Sequence, residues 1–252
     1  MIEEQFSTGN SFVHSLDPRV KIIVAIFFSV VVAVSSNFAS LLPALALSLF
    51  LIILGKLSFK KVLYRLLLVN GLILFLWLFL PFTYKGDALF KIGPLVGTAE
   101  GVLYASQITV KCNAILLAMI ALLSTTSVFT LGHAMGQLCF PDKIIHLFLF
   151  TYRYIHVISQ EYYRLINAMK MRGFIPRTNL HTYRSYAYLV GMLLVRSYDR
   201  AERIHKAMIC RGFNGKYHTL SRFSVKMGDI LYLSVMLAAI LGLVILQWKA
   251  IA

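Results

Sequence analysis

The chain has 252 residues, of which 59% are hydrophobic and only 14% charged, with a mean hydropathy of +0.75 and a formal net charge of +15. An ordinary soluble domain carries about 25% charged residues, so this composition excludes that class and points to a chain embedded in a membrane. Cys112, Cys139 and Cys210 are far apart and odd in number, which gives neither a disulfide framework nor a thiolate metal site.

In chain order, the N-terminus carries Glu3 and Glu4 where a secretory signal would be basic. No small-residue cleavage site follows the first apolar run, so that run is expected to be a retained span. Crossing a hydrocarbon core takes about 20 apolar residues, with a lower limit near 17. Five runs reach this length: Val20–Ser36, Ala39–Gly55, Leu66–Phe82, Cys112–Leu131 and Ile230–Trp248. Pro43 stands near the start of the second, where a helix tolerates it best, and Pro81 marks the end of the third. The Gly-rich segment 83–108 has no charge run and is expected to hold a short amphipathic piece. Two other apolar stretches, Ile144–Ile158 and Tyr183–Val195, contain Arg153 and Arg184. An Arg at the bilayer midplane costs about 2.5–3.5 kcal/mol, so neither is read as a span. The expected fold is an all-α polytopic membrane protein with about five transmembrane helices and a set of basic helices outside the bilayer core. Residues 1–131 would hold four spans, 132–227 the basic helical region and 228–252 the last span.

Charge sets the orientation. Residues 132–227 hold fifteen Lys and Arg against four acids, Asp142, Glu161, Asp199 and Glu202. The loop 55–65 adds Lys56, Lys60, Lys61 and Arg65. Basic residues gather on the cytoplasmic side, with short loops carrying the signal. The N-terminus and the basic region are therefore expected in the cytoplasm, with Lys111 at the outer edge of the fourth span and the C-terminus outside.

A motif occurs twice in the basic region. Residues 164–174 read Arg-Leu-Ile-Asn-Ala-Met-Lys-Met-Arg-Gly-Phe, and residues 203–213 read Arg-Ile-His-Lys-Ala-Met-Ile-Cys-Arg-Gly-Phe. At an offset of 39 they share six identities in eleven. Arg164, Ala168 and Arg172 lie four apart and share a helix face, as do Arg203, Ala207 and Arg211. Arg196 and Arg200 extend the second stripe backward. Gly173 and Gly212 are placed to end each helix in a left-handed conformation, and Pro176 and Asn214-Gly215 follow. Each terminal Arg then sits where the helix dipole favours a cation. Two surface helices with basic ends would produce part of this pattern. Two copies with Ala beside Arg fit better as a two-pronged plug, in which Ala admits a close surface and Arg reaches an acidic or carbonyl-lined groove. Two like prongs imply two like sockets. Asp199–Arg203 and Glu202–Lys206 have the spacing of supporting ion pairs.

Chemistry-bearing motifs are otherwise missing. The sequence has no G-x-x-x-x-G-K-[ST], so it does not bind ATP by a P-loop, and no H-E-x-x-H. Its seven histidines are scattered, and no metal ligand set is assigned. The predicted spans lack the buried ionisable group that an ion-coupled transporter would need. Asn70 and Ser124-Thr125-Thr126 read as helix-packing residues.

These residues resemble the T component of energy-coupling factor transporters. Met171-Arg172-Gly173 and Cys210-Arg211-Gly212 look like that family's paired signatures, usually Ala-Arg-Gly, with the first position changed in both. Asp17-Pro18-Arg19 resembles the family's structural entry to the first span. The stretch Leu189–Arg203 looks most like the cobalt or nickel branch, the CbiQ type. The resemblance implies a non-catalytic coupling subunit in the cell (inner) membrane, spanning the lipid bilayer. Ala168, Met171, Arg172 and Gly173, with Ala207, Cys210, Arg211 and Gly212, would form its docking ends. The implied partners are two ATP-binding subunits, or a dimer of them, and a separate membrane subunit that captures cobalt or nickel. It implies no cofactor on this chain, ATP on the partners, and no nucleic acid. Two other classes compete: a membrane enzyme that holds an anionic substrate in the basic region, and a scaffold that binds anionic lipid.

Overall fold

A computed structural model describes residues 9, 11–83, 88–92, 95–138, 140–215 and 226–249. Cys139 and His218 lie outside the described residues, as do Glu3 and Glu4. The described residues form an all-α membrane protein with one small hairpin. The elements are α1 (Phe12–Ser15), α2 (Pro18–Val34), α3 (Phe38–Leu54), α4 (Phe59–Thr83), β1 (Ala88–Ile92), β2 (Leu95–Thr98), α5 (Ala99–Leu122), α6 (Val128–Gln137), α7 (Asp142–Met171), α8 (Leu180–Cys210) and α9 (Met227–Lys249). The chain divides into two compact units. One runs from Met135 to Arg222, and the other comprises Glu4–Ala134 with Phe223–Ala252.

The second unit is an up-and-down bundle of α2, α3, α4, α5 and α9. Three of these, α4, α5 and α9, are long and apolar enough to cross a membrane; α3 is a shorter apolar helix. At 1.5 Å per residue the 17-residue α2 and α3 each reach about 25 Å. α5 runs through the middle, packing against α2, α3 and α4. Its buried face is mostly small: Gly101, Ala105, Ala114, Ala118 and Ala121. Small residues let helix backbones approach closely where the hydrophobic effect supplies no drive between helices. Two clusters fill the interior. One joins Val24, Leu51, Val62, Leu117 and Tyr232, and the other joins Phe28, Leu41, Ala118 and Ile240. Outward, Leu67, Leu68, Leu72 and Leu74 of α4 are exposed, an apolar surface suited to lipid.

Both ends of the bundle are pinned by polar contacts. At one end Asp17 caps α2. Its carboxylate accepts the Arg19 N–H at 2.9 Å and the Arg19 guanidinium at 3.1 and 2.9 Å, and Pro18 fills the first helical position. Asp229 accepts the N–H of Lys226, which starts α9, and the N–H of Asp17, which starts α2. One buried carboxylate thus closes two helix ends. At the other end the Ser35 hydroxyl donates to Gln247, and the Lys111 ammonium donates to the Ala33 carbonyl.

The fourth predicted span is displaced. Its helix, α5, starts at Ala99 and stops at Leu122, about ten residues before the expected limits of Cys112–Leu131. Glu100, Gln107 and Lys111 push residues 99–111 below an apolar threshold, yet Glu100 sits in the first turn, where the dipole favours an acid. Lys111 is therefore mid-helix rather than at a helix end, although it lies level with the end of α2. The apolar residues after Leu122 belong to a break and to α6. α4 also starts earlier than expected and takes in Lys60, Lys61 and Arg65. Pro43 is the sixth residue of α3, beyond its first turn. In the segment 83–108, β1 pairs antiparallel with β2, Ile92 facing Leu95 and Ala88 facing Thr98. The Thr98 hydroxyl donates to the Pro81 carbonyl, and Gly101 passes so close to Pro81 that a Cβ would lie 2.8 Å from its Cα.

Candidate docking site

The two Arg-Gly motifs end α7 and α8 in the same way. Arg172 and Arg211 are the C-caps. Gly173 and Gly212 follow with φ of +80° and +81°, a region that favours glycine. The Gly173 N–H donates to the Lys170 carbonyl at 3.0 Å and the Phe174 N–H to Met169 at 3.1 Å. The corresponding bonds in α8 run from Gly212 to Ile209 at 2.9 Å and from Phe213 to Met208 at 3.1 Å. This is a Schellman end, built twice. A Cβ on either glycine would meet nothing within 4 Å, so torsion alone selects glycine there.

All eight residues of the two ends are exposed: Ala168, Met171, Arg172, Gly173, Ala207, Cys210, Arg211 and Gly212. Met171 is 91% exposed. Among the described residues, neither the Arg172 nor the Arg211 guanidinium has an ion pair or side-chain hydrogen bond. Each is an exposed cation at a helix end where the Schellman bonds already engage two of the last carbonyls.

Behind the ends, α7 and α8 meet at one stretch. The Glu161 carboxylate accepts from the Arg196 guanidinium across the gap and from Arg164 on its own helix at 3.4 Å. That hydrogen bond from Arg196, with the charges of Arg196, Arg164 and Arg200, holds the Glu161 carboxyl below the usual carboxylate range. An open apolar cleft lies beside the pair, with Tyr154 and Val157 on one wall and Ala201, Ile204 and Met208 on the other. Of the two expected ion pairs on α8, Glu202–Lys206 forms at 2.6 Å, while Asp199 and Arg203 make none.

Asp17, Pro18 and Arg19 belong to the other unit and cap α2, as described above. Sequence reasoning missed what lies beside them. Lys21 stands at the edge of the first predicted span, and it is 1% exposed, inside the first turns of α2. Its ammonium donates to Thr126 at 3.0 Å and reaches Thr125 at 3.5 Å. Ser124 accepts from Arg65 at 3.3 Å. The Ser-Thr-Thr break after α5 therefore receives two cations, beyond the packing role its composition suggests. Among the described residues, no three His, Cys, Asp or Glu side chains gather as a metal-binding group.

Comparison with known proteins decides the family. The CbiQ family, described as cobalt transport protein, matches residues 9–222. The chain belongs to this family. It is also 30% identical to the energy-coupling factor transporter transmembrane protein EcfT of Leuconostoc gelidum subsp. gasicomitatum, over 96% of this chain and 94% of that one. The proteins of the same name from Streptococcus equi subsp. equi and Listeria innocua are 28% and 26% identical, over 88% and 85% of both chains. Family membership and the apolar bundle together make this a multi-pass membrane protein of a transporter.

Proposed function

We propose that this chain is the transmembrane coupling subunit of an energy-coupling factor importer for cobalt. It is not itself an enzyme. Its N-terminus lies in the cytoplasm and its spans in the cell membrane. Arg172 and Arg211 dock into like grooves of two ATP-binding subunits, with Ala168, Met171 and Gly173 and their counterparts Ala207, Cys210 and Gly212 forming the contact surface around them. ATP is bound by those partners and drives α7 and α8. A separate membrane subunit takes up the ion and is reoriented by that motion.

The observation that carries the reading is the pair of like-built helix ends, each presenting an unpaired Arg. A lipid-binding scaffold would need only cations, with no repeated Schellman geometry behind them. Orientation is supported by the basic residues clustered where α2 and α4 start: Arg19, Lys21, Lys60, Lys61 and Arg65. The cobalt assignment rests on the family description, and nickel is the competing cargo. The EcfT relatives carry no ion in their names, which suits a subunit that leaves selection to its partner.

The test is Arg172→Glu with Arg211→Glu. Co-purification with the ATP-binding subunits and ATP-driven uptake should both be lost while membrane insertion is unchanged. Full retention of both would refute docking. Uptake of radiolabelled Co2+ against Ni2+ by the intact complex decides the cargo.

A further inference from the structure

Behind the docking ends, where sequence identity between the copies stops, α7 and α8 meet at positions that the 39-residue offset still relates. Under the same offset Val157 corresponds to Arg196, Ile158 to Ser197 and Glu161 to Arg200. These six residues all line the cleft between the two helices. The helices therefore meet at positions related by the same offset as the two ends. Charge differs between the copies. Glu161 is the only acid of α7 beyond Asp142 in its first turn, and it faces Arg196, Arg164 and Arg200. Its side chain is 12% exposed, against 50% for Arg196 and 75% for Arg164. From Glu161 to Arg172 is eleven residues, and from its partner Arg196 to Arg211 is fifteen. The two arms are then about 16 Å and 22 Å long at 1.5 Å per residue. Two arms that turn about their contact need a fixed point there, and this ion pair supplies it beside an otherwise open apolar cleft.

We propose that Glu161 is the fulcrum of the two arms: its carboxylate, shared between Arg196 across the gap and Arg164 beside it, fixes the point about which α7 and α8 turn, so that displacement at one Arg-Gly end is transmitted rather than absorbed. Glu161 is a positioning residue, acting through the helices and touching no cargo. The inference rests on the coupling role proposed above.

Two measurements test it separately from docking. The first uses the full chain in lipid nanodiscs without partners. Spin labels are placed on Cys210 and on Met171→Cys, with Cys112 and Cys139 replaced by Ala. The distance distribution between the labels should be narrow. Glu161→Gln should at least double its width, Glu161→Asp should leave it narrow, and Glu161→Arg with Arg196→Glu should narrow it again. An unchanged width in Glu161→Gln overturns the fulcrum. The second uses the complete transporter in proteoliposomes. Glu161→Gln should assemble normally and hydrolyse ATP, while ions imported per ATP fall about fivefold and recover in the charge-exchanged pair. Unchanged uptake per ATP, or loss of assembly, overturns a role in transmission. If the coupling role itself is wrong, the Arg172 and Arg211 variants will show it, and the label distances still report on the fulcrum.

Discussion

The two polar regions of this protein are built on opposite plans. The Arg-Gly ends are local, repeated and exposed, and among the described residues their guanidinium groups have no ion pair or side-chain hydrogen bond. The cluster of Asp17, Lys21 and Asp229, with half-buried Thr126 at its edge, is largely buried and is assembled from segments more than a hundred residues apart. A buried polar group left without a partner costs about 1–3 kcal/mol, so the cluster must be satisfied internally and its worth is structural. An exposed cation carries no such penalty. The ends are free to serve an external partner, and substitution there should spare the fold.

The contrast is broken or kept first by the largest expected effect. Arg172→Glu with Arg211→Glu should reduce uptake by at least a hundredfold, while the melting temperature of the purified chain moves by less than about 1 °C. Surface substitutions away from packed features usually stay within about 0.5 kcal/mol. A large drop in melting temperature would show that the ends belong to the folded core, and the contrast would fail.

Asp229→Ala should do the reverse. It removes the acceptor for the Asp17 and Lys226 N–H groups and takes away a carboxylate near Lys21. Hydrogen bonds to a charged group contribute about 1.5–3 kcal/mol each, so a loss of roughly 3 kcal/mol is expected. It would be measured as the shift in thermal unfolding of the detergent-solubilised chain. Association with ATP-binding subunits, assayed below that transition, should persist. Thr126→Val is smaller, because Thr125 remains within 3.5 Å of the Lys21 ammonium. About 1 kcal/mol is expected, read in the same unfolding assay.

The same contrast explains what the sequence discloses. The repeated ends are legible because helix spacing, glycine and arginine all lie within eleven residues, and the second copy confirms the first. The bundle is legible as apolar runs. Lys21 is not, because nothing in Arg19-Val20-Lys21 announces a hydroxyl 105 residues away. A lysine at the edge of an apolar run reads as solvated until its partner is in place. The start of α5 is hidden for a related reason. Its polar residues are accommodated by the dipole and by the Ala33 carbonyl, neither of which a hydropathy window contains. The Glu161–Arg196 pair falls between these cases. Arg196 extends the second stripe of arginines and Glu161 is one of four acids in the basic region, but their pairing needs the two helices to be brought together.

The finest test of the contrast lies in the two glycines. At φ near +80° an Ala residue incurs about 1–2 kcal/mol of backbone strain, with no steric clash to add, because the space around each Cβ position is open. In the buried cluster a strain of that size would be shared with the whole unit. At a frayed helix end it need not be. Gly173→Ala should relax its own Schellman turn and leave the rest of α7 folded, so the melting temperature should hardly change. Docking should weaken because the competent end is populated less. A difference of 1.4 kcal/mol corresponds to a tenfold change in an equilibrium, so affinity for the ATP-binding subunits should fall about five- to tenfold, measured by titration of the purified components. Gly212→Ala should match it, since the two ends are built alike. Asn tolerates the left-handed region, and Gly173→Asn should retain most of the affinity. If Ala and Asn were equally harmful, the glycine would be selected by the partner's surface rather than by torsion. If Gly173→Ala unfolded the chain as Asp229→Ala does, the end would be carrying structural weight.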